Sequence, residues 1–259
     1  MNTALITGAS SGIGEAFAKE LAARKTNLVL VARSEDKLQR LAEQLYEQFQ
    51  IQADVIAQDL TAPGAIKFVF EAVSQRGLTI DLLINNAGFG DYGAFSDRPL
   101  QKQLEMVQLN ITALVEVTGL FLPQMKQRGS GSIINLSSIA GFQPLPYQSI
   151  YGATKAFVLS FSEALWAENK ETGVRILAVC PGPTETKFFD EAQYPESFRN
   201  SNIGMTPPDE VVKEALKALE SNQSTVVTGG LANQVIVNLP RFLPRDLLLS
   251  AVEKQFRVN

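Results

Sequence analysis

The sequence predicts an α/β fold, a doubly wound parallel sheet of about seven strands with helices on both faces. Two observations predict it. Short, near-continuous apolar runs alternate along the chain with longer stretches of helical spacing, and the first run opens into a glycine-rich turn followed at once by a helix. The β-rich run over 3–7 enters Gly8-Ala9-Ser10-Ser11-Gly12-Ile13-Gly14, and over 15–24 the apolar residues Ala16, Phe17, Leu21 and Ala22 recur at helical spacing. Residues 27–32 (Asn-Leu-Val-Leu-Val-Ala) read as a buried strand, 35–49 as a polar-faced helix and 53–57 as a third strand. The alternation continues with a helix over 66–75, a strand over 81–85, a long helix over 100–126 and a strand over 132–137. A helix over 150–170, a strand over 174–179, a helix over 209–220 and a strand over 225–228 complete it. No linker or repeat interrupts the pattern, so residues 1–259 are expected to form a single Rossmann-type domain. In such a sheet ligands bind beyond the carboxyl ends of the strands, where Gly8, Arg33, Asp59, Asn85, Ser138 and Pro181 all fall.

Composition excludes several function classes. The chain of 259 residues contains no His, so no Ser-His-Asp triad, Cys-His dyad or His-ligated metal site can exist in it, and no metal is expected. This removes the hydrolase reading of Gly8-Ala9-Ser10-Ser11-Gly12, which fits the Gly-x-Ser-x-Gly elbow; the Walker pattern also fails there, for want of Gly-Lys-Ser/Thr. The lone Cys180 rules out an internal disulfide framework. No apolar run reaches the roughly 20 residues of a membrane span, and the first residues do not resemble a signal peptide. A cytoplasmic setting is therefore expected, and the Asn-x-Ser/Thr matches at Asn110, Asn135 and Asn222 are read as chance. A net charge of -4 with no basic block argues against nucleic-acid or anionic-membrane binding. A small-molecule enzyme is favoured.

The chemistry-bearing residues come next. Tyr151 and Lys155 lie four apart in a predicted helix, so they share a face, and the ammonium is expected to stabilise the ionised phenol. An exposed helix pair has the same spacing. Ser138 stands thirteen residues earlier at a strand end, where a turn hydroxyl is the alternative, and Asn110 lies in the long helix, where a solvent-facing amide is the alternative. Glycines 8, 12 and 14 suit a tight turn, close approach of backbone to a pyrophosphate and tight helix packing, although Gly-x-x-x-Gly-x-Gly departs from Gly-x-Gly-x-x-Gly and an ordinary glycine-rich turn reads the same.

Taken together, 7–14 (Thr-Gly-Ala-Ser-Ser-Gly-Ile-Gly), Asn85-Asn86-Ala87-Gly88, Asn110, Ser138, the Tyr151-Gly-Ala-Thr-Lys155 run and Pro181-Gly182 resemble, in order and spacing, the motifs of the short-chain dehydrogenase/reductases. The resemblance covers about the first 230 residues. It implies that Tyr151 is the acid/base, passing a proton to a carbonyl as hydride arrives from a nicotinamide. Lys155 would lower its pKa and hold the nicotinamide ribose, Ser138 would hydrogen-bond the substrate oxygen, and Asn110 would hold a water linking Lys155 to solvent. It also implies cofactor contacts from Gly8, Ser10, Ser11, Gly12, Ile13 and Gly14, from Asn86, Ala87 and Gly88 at the adenine ribose, and from Asp59 and Leu60 at the adenine. Pro181, Gly182, Thr184 and Thr186 would pack by the nicotinamide. For Asp59 a turn role is the alternative. Arg33, with no acid directly after the second strand, favours the 2'-phosphate of NADP(H) over NAD(H), with Ser10 or Ser34 assisting; a solvated surface Arg is the alternative.

The resemblance puts a substrate loop at 184–206. Its Phe188, Phe189, Tyr194 and Phe198, with Phe89, Ile139, Phe142 and Tyr147, are candidate walls for an apolar carbonyl or alcohol substrate, or anchors that tie the loop to the core. A 3-oxoacyl thioester reductase and a non-catalytic NADPH-sensing regulator are the rival functions. A homodimer or homotetramer packed through the two long helices is implied. The extension 231–259 departs from the common family ending; 246–257 reads as an amphipathic helix bearing Leu247, Leu248, Ala251, Val252 and Phe256, expected to dock on its own domain or a second subunit rather than on a membrane.

Overall fold

The computed structural model describes residues 2–196 and 204–257. All seven strands are present: β1 Thr3–Thr7, β2 Asn27–Ala32, β3 Ala53–Ala57, β4 Leu82–Asn85, β5 Gly131–Leu136, β6 Val174–Pro181 and β7 Thr225–Thr228. The helices are α1 Gly12–Ala23, α2 Glu35–Phe49, α3 Ala65–Gln75, α4 Leu100–Val107, α5 Leu114–Arg128, α6 Ser149–Glu168, α7 Phe188–Glu191, α8 Pro208–Glu220, α9 Leu231–Asn238 and α10 Arg245–Phe256. Neighbouring strands are parallel throughout, in the order β3-β2-β1-β4-β5-β6-β7.

This order follows from strands that are apolar on both faces. In β2, Leu28 and Leu30 join one core with Phe17 of α1, Leu38 of α2 and Val212 of α8, while Val29 and Val31 join the other with Val69 of α3 and Phe121 of α5. Alternate side chains of one strand thus enter opposite layers, as the period of two requires. The chain winds outward from β1 to β3, then crosses back to place β4 on the other side of β1. In a sheet of this order the ligand crevice is expected at that switch point, beyond the carboxyl ends of β1 and β4.

The predicted long helix is one continuous run in which α4 and α5 are joined by a widened π turn over Gln108–Ala113. Such a turn inserts a residue into the ladder, and it carries Asn110 into the interior. Contrary to the expectation that no segment qualifies, the run Leu100–Arg128 is long and apolar enough to cross a membrane by length and composition. Its apolar side is accounted for by the sheet: Ala113, Val117, Phe121 and Met125 are buried with Leu83 and Ile133.

Beyond β7 the sequence signal was weaker. Helix α9 lies in the part of the extension to which the sequence assigned no element, and Asn233 fastens it by donating from Nδ2 to the carbonyls of Thr228 (2.8 Å) and Gly229 (3.1 Å). Helix α10 runs over 245–256, close to its expected span, and docks on its own domain, burying Leu248 and Val252 while Leu247 stays exposed.

Polar side chains stitch the central strands to the helices. Asn85 in β4 donates from Nδ2 to Thr118 Oγ1 (3.0 Å) and to Asn135 Oδ1 (2.9 Å), and Asn135 in β5 donates to Ser162 Oγ in α6 (2.9 Å). All four residues are buried, so each bond is made where water cannot replace it. Asn135→Leu removes an acceptor from Asn85 and a donor from Ser162, and an unsatisfied buried group costs about 1–3 kcal/mol. The urea midpoint should fall correspondingly with unchanged slope; an unmoved midpoint would contradict the stitching role.

Candidate active site

The glycine-rich turn is assembled from both sides of the switch point. Gly8 has φ +66°, and a Cβ there would meet Asn86 Nδ2 at 2.8 Å and Ala87 Cα at 2.9 Å. A Cβ on Gly14 would stand 2.3 Å from the Gly8 carbonyl oxygen, which is how α1 packs so tightly on the turn. Asn86 donates from Nδ2 to the carbonyls of Thr7 (3.0 Å) and Gly8 (3.1 Å), while Thr7 Oγ1 accepts from the amides of Asn86 and Ala87 (3.0 Å each). Ser11 precedes α1 without a side-chain cap, so its hydroxyl does not occupy the amides of the first helical turn, Gly12, Ile13 and Gly14. A bare helix N-terminus beside a cradle that a Cβ would fill fits the pyrophosphate of a dinucleotide. Ser10, on the same turn, is half-buried and Ser11 is exposed.

Arg33 is exposed at the end of β2. Asp59 beyond β3 holds its carboxyl below the usual range, chiefly because the Thr61 amide and hydroxyl donate to it (2.9 and 2.7 Å), with a smaller contribution from the Arg33 charge. Asp59 therefore closes a turn, the alternative left open by the sequence, and lies within electrostatic reach of Arg33. Leu60 is buried with Ile66 and Val69.

On the other side of the crevice, α6 presents Tyr151 in its first turn and Lys155 one turn later, both buried. The Lys155 ammonium donates to the Leu136 carbonyl at the end of β5 (2.7 Å), and the Ser137 hydroxyl donates to the Lys155 carbonyl (2.7 Å). Ser138, the next residue, donates from Oγ to the Pro181 carbonyl (3.4 Å), accepts from the Ala140 amide (3.1 Å) and lies close enough to the Tyr151 phenol to act on its pKa. Asn110, 1% exposed, accepts from the Phe89 amide at Oδ1 (3.1 Å) and donates from Nδ2 to the Phe89 carbonyl (3.0 Å) and Thr154 Oγ1 (3.1 Å). A Cβ on Gly88 would stand 2.9 Å from Asn110 Oδ1 and 3.7 Å from Lys155 Nζ, so the two flank Gly88. The four residues picked from the sequence are thus gathered in one place.

Their electrostatics correct one expectation. Lys155 does not pull the phenol down: burial pushes Tyr151 up to about 12, offset only by the Ser138 hydrogen bond. Burial also pushes the Lys155 ammonium down to about 8. The cause is geometric, since the ammonium lies 5.8 Å from the Tyr151 ring centroid and is directed to the Leu136 carbonyl. As it stands, the pair keeps the phenol neutral.

The candidate walls separate into three groups. Phe188 lies against Tyr151, with ring centroids 5.2 Å apart, and Phe89 joins the same cluster. Gly90 leaves room for Phe188, whose ring tip would be 2.5 Å from a Cβ there. Tyr147 and Phe189 form an outer layer with Tyr92, Ala192 and Tyr194. Phe142 is a correction, because it packs with Leu159, Ala178, Cys180 and Val227 rather than with Tyr151. Ile139, beside Ser138, is half-buried, and Phe198 lies outside the described residues.

The ends of the substrate loop are zipped by the Thr184–Thr206 bridge, with Thr206 N donating to Pro183 O (2.9 Å). Thr184 turns its hydroxyl to the Gly182 carbonyl (2.9 Å). Thr186 approaches the cofactor turn, its Cγ2 3.2 Å from where a Gly12 Cβ would be. Pro181 ends β6, and Asn233 fills the space where Gly182 lacks a side chain. Sequence reasoning missed Leu136 as the anchor of Lys155, Met106 and Leu145 beside Tyr151, and Asn233; for Leu248 and Val252 the helical apolar spacing was the available signal, without a location.

Comparison with known proteins agrees with this arrangement. The family profile described as short chain dehydrogenase matches residues 2–196. The very-long-chain 3-oxoacyl-CoA reductase of Macaca fascicularis is 32% identical over 266 residues, covering 99% of this chain and 81% of that protein. Among solved structures, a short-chain dehydrogenase from Sphingobium yanoikuyae in complex with NADPH is similar with TM-score 0.83 and 33% identity, over 98% of this chain and 94% of that one. The bulky-bulky ketone specific alcohol dehydrogenase from Comamonas testosteroni is similar with TM-score 0.80 and 33% identity, over 99% and 95%. With a profile match over most of the chain and a parallel Rossmann-type sheet in common with these enzymes, the chain belongs to the short-chain dehydrogenase/reductase family of oxidoreductases, which use a nicotinamide cofactor.

Proposed function

We propose that this protein is an NADP(H)-dependent carbonyl reductase, interconverting an apolar ketone and its secondary alcohol. The observation that carries the reading is the gathering of Tyr151, Lys155, Ser138 and Asn110 in one place, with the Lys155 ammonium 5.8 Å from the Tyr151 ring centroid, beside an uncapped glycine cradle. The amides of 12–14 would hold the pyrophosphate, Arg33 the 2'-phosphate, Asn86 to Gly88 the nearer ribose, Lys155 the nicotinamide ribose and Thr186 the carboxamide. Once bound, the cofactor supplies the hydride. Ser138 then orients the carbonyl oxygen and Tyr151, kept neutral by burial, donates its proton to it. Lys155 resupplies charge and proton beneath the ring. Asn110 commits its side chain to Phe89 and Thr154, so its contribution to a proton path falls to its main-chain carbonyl in the widened turn.

NADP(H) preference is supported by Arg33 and by the NADPH complex of a similar structure, and the bulky ketone by the apolar cluster around Tyr151 and by the ketone-specific relative. A second reading, reduction of a 3-oxoacyl thioester, is favoured by the similarity to 3-oxoacyl-CoA reductases. We also propose a cytoplasmic homo-oligomer packed through α4–α5 and α6, on which Leu100, Leu104 and Phe157 are exposed. Leu104→Asp with Phe157→Asp should reduce the mass measured by light scattering; an unchanged mass contradicts that packing.

Tyr151→Phe should lower kcat roughly 100- to 10,000-fold with NADPH binding retained. Undiminished turnover would contradict the mechanism, and NADPH binding by the wild type without turnover of any carbonyl would favour a sensor. Arg33→Ala should erode the preference for NADPH over NADH, and unchanged discrimination would remove the assignment. Lys155 titrates at about 8 in the folded chain against an ordinary value of 10.5. Between these the unfolded chain binds more protons, so this group makes stability rise with pH across that window. Wild type should therefore gain stability relative to Lys155→Met from about pH 8 to about 10.5; parallel unfolding curves for the two would refute the buried ammonium.

A further inference from the structure

A buried carboxylate outside the proton-transfer site ties the substrate loop to the segment that follows β4. The Asp91 side chain is 0% exposed and accepts from Arg98 Nε (2.7 Å) and Nη2 (2.5 Å), Lys102 Nζ (2.6 Å) and Gln103 Nε2 (2.6 Å). Burial alone would raise its carboxyl, but the hydrogen bonds and charges of Arg98 and Lys102 hold it below the usual range, so it stays ionised. Two cations on one carboxylate leave positive charge in excess, and Arg98 Nη2 also donates to Gln193 Oε1 (2.7 Å). Gly93 makes room for this arginine, since a Cβ there would stand 2.6 Å from Arg98 Cδ.

Gln193 stands just past α7 with φ +59°, the left-handed region that favours glycine, so contacts hold it there rather than its own preference. Backbone bonds carry the clasp on to Phe188. The Tyr92 amide donates to the Ala192 carbonyl (2.9 Å), and the Ala192 amide donates to the Phe188 carbonyl (2.9 Å). The Phe188 ring is seated in the gap at Gly90, against Tyr151.

We propose that Arg98, held by Asp91, is a positioning residue that sets substrate selectivity: through Gln193 it fastens the Phe188 ring beside Tyr151, so that ketones too small to replace that ring bind poorly. This rests on the reductase reading above and adds the residue that enforces its preference for bulk. A ketone that takes the place of Phe188 moves α7 against the Arg98–Gln193 bond. A bulky apolar one recovers the lost contacts with Phe89 and Met106 of the same cluster, and a small one does not.

The test follows NADPH oxidation with 1-phenylpentan-1-one and with 2-butanone. Arg98→Met keeps the stem beside Gly93 and leaves Asp91 with Lys102 and Gln103, while Gln193→Ala removes the other end of the bond at an exposed position. Both should lower the ratio of kcat/KM for the larger ketone over the smaller roughly 3- to 10-fold, the worth of about one hydrogen bond, through a fall in KM for 2-butanone with kcat retained. Gln193→Glu, whose carboxylate still accepts from Arg98 beside the excess positive charge, should keep the wild-type ratio. A ratio unchanged in both Arg98→Met and Gln193→Ala, a ratio lost equally in Gln193→Glu, kcat falling for both ketones together in Gln193→Ala, or a wild type without preference for the larger ketone overturns the proposal and leaves the reductase reading intact. Reduction of neither ketone by wild type that binds NADPH overturns the reductase reading and this proposal with it.

Discussion

The hydrogen bond from the Lys155 ammonium to the Leu136 carbonyl joins α6 to the end of β5, and the rest of the site depends on it. A buried ammonium is tolerated only where it is solvated by the protein, and here a carbonyl at a strand end performs that service. The return bond from Ser137 to the Lys155 carbonyl fixes the same helix to the same strand from the other direction. With α6 pinned at its second turn, Tyr151 in the first turn is held near Ser138, which stands two residues past the end of β5. The phenol is therefore positioned by α6, and the Ser138 hydroxyl by the short turn that leaves β5, which the Ala140 amide closes on it.

The opposite wall is fixed by a second stitch of the same kind. Thr7 and Asn86 bind each other's backbone across β1 and β4, and the glycines at 8 and 14 are where that stitch leaves no space for a side chain. Gly88 continues the wall to Asn110, whose amide is locked to both backbone groups of Phe89. A helix with an i to i+5 turn is needed to bring Asn110 that far inward, so the irregularity of the long helix has a local cause in the site it serves.

These features differ in how far the sequence reveals them. Strand and helix spans came from periodicity, which is strong in a doubly wound sheet because β1 and β2 are buried on both faces. The tetrad and cofactor turn were legible because their spacing along the chain is short and tied to strand ends. The neutral phenol was not, since spacing gives proximity of Lys155 to Tyr151 but not the direction of the ammonium, which the Leu136 carbonyl decides. Phe142 was misread for a related reason: adjacency to Ser138 in sequence says nothing about which side of a short helical turn the ring leaves, and it leaves toward Cys180. Helix α9 lacked a capping signal, with Gly230 before it and β-branched residues within it.

The substrate side has a further physical consequence. Phe188 occupies the position beside Tyr151, seated in the gap that Gly90 provides, and α10 covers the cluster with Leu248 and Val252. Phe188 is half-buried there, so moving its ring aside gives up part of the about 1.5–3 kcal/mol that fully burying a Phe contributes. An apolar chain that takes the place of Phe188 against Phe89, Met106 and Leu145 offsets this cost, whereas a small polar ketone does not. The proposed preference for a bulky, apolar ketone rests physically on this exchange of one apolar group for another beside the phenol.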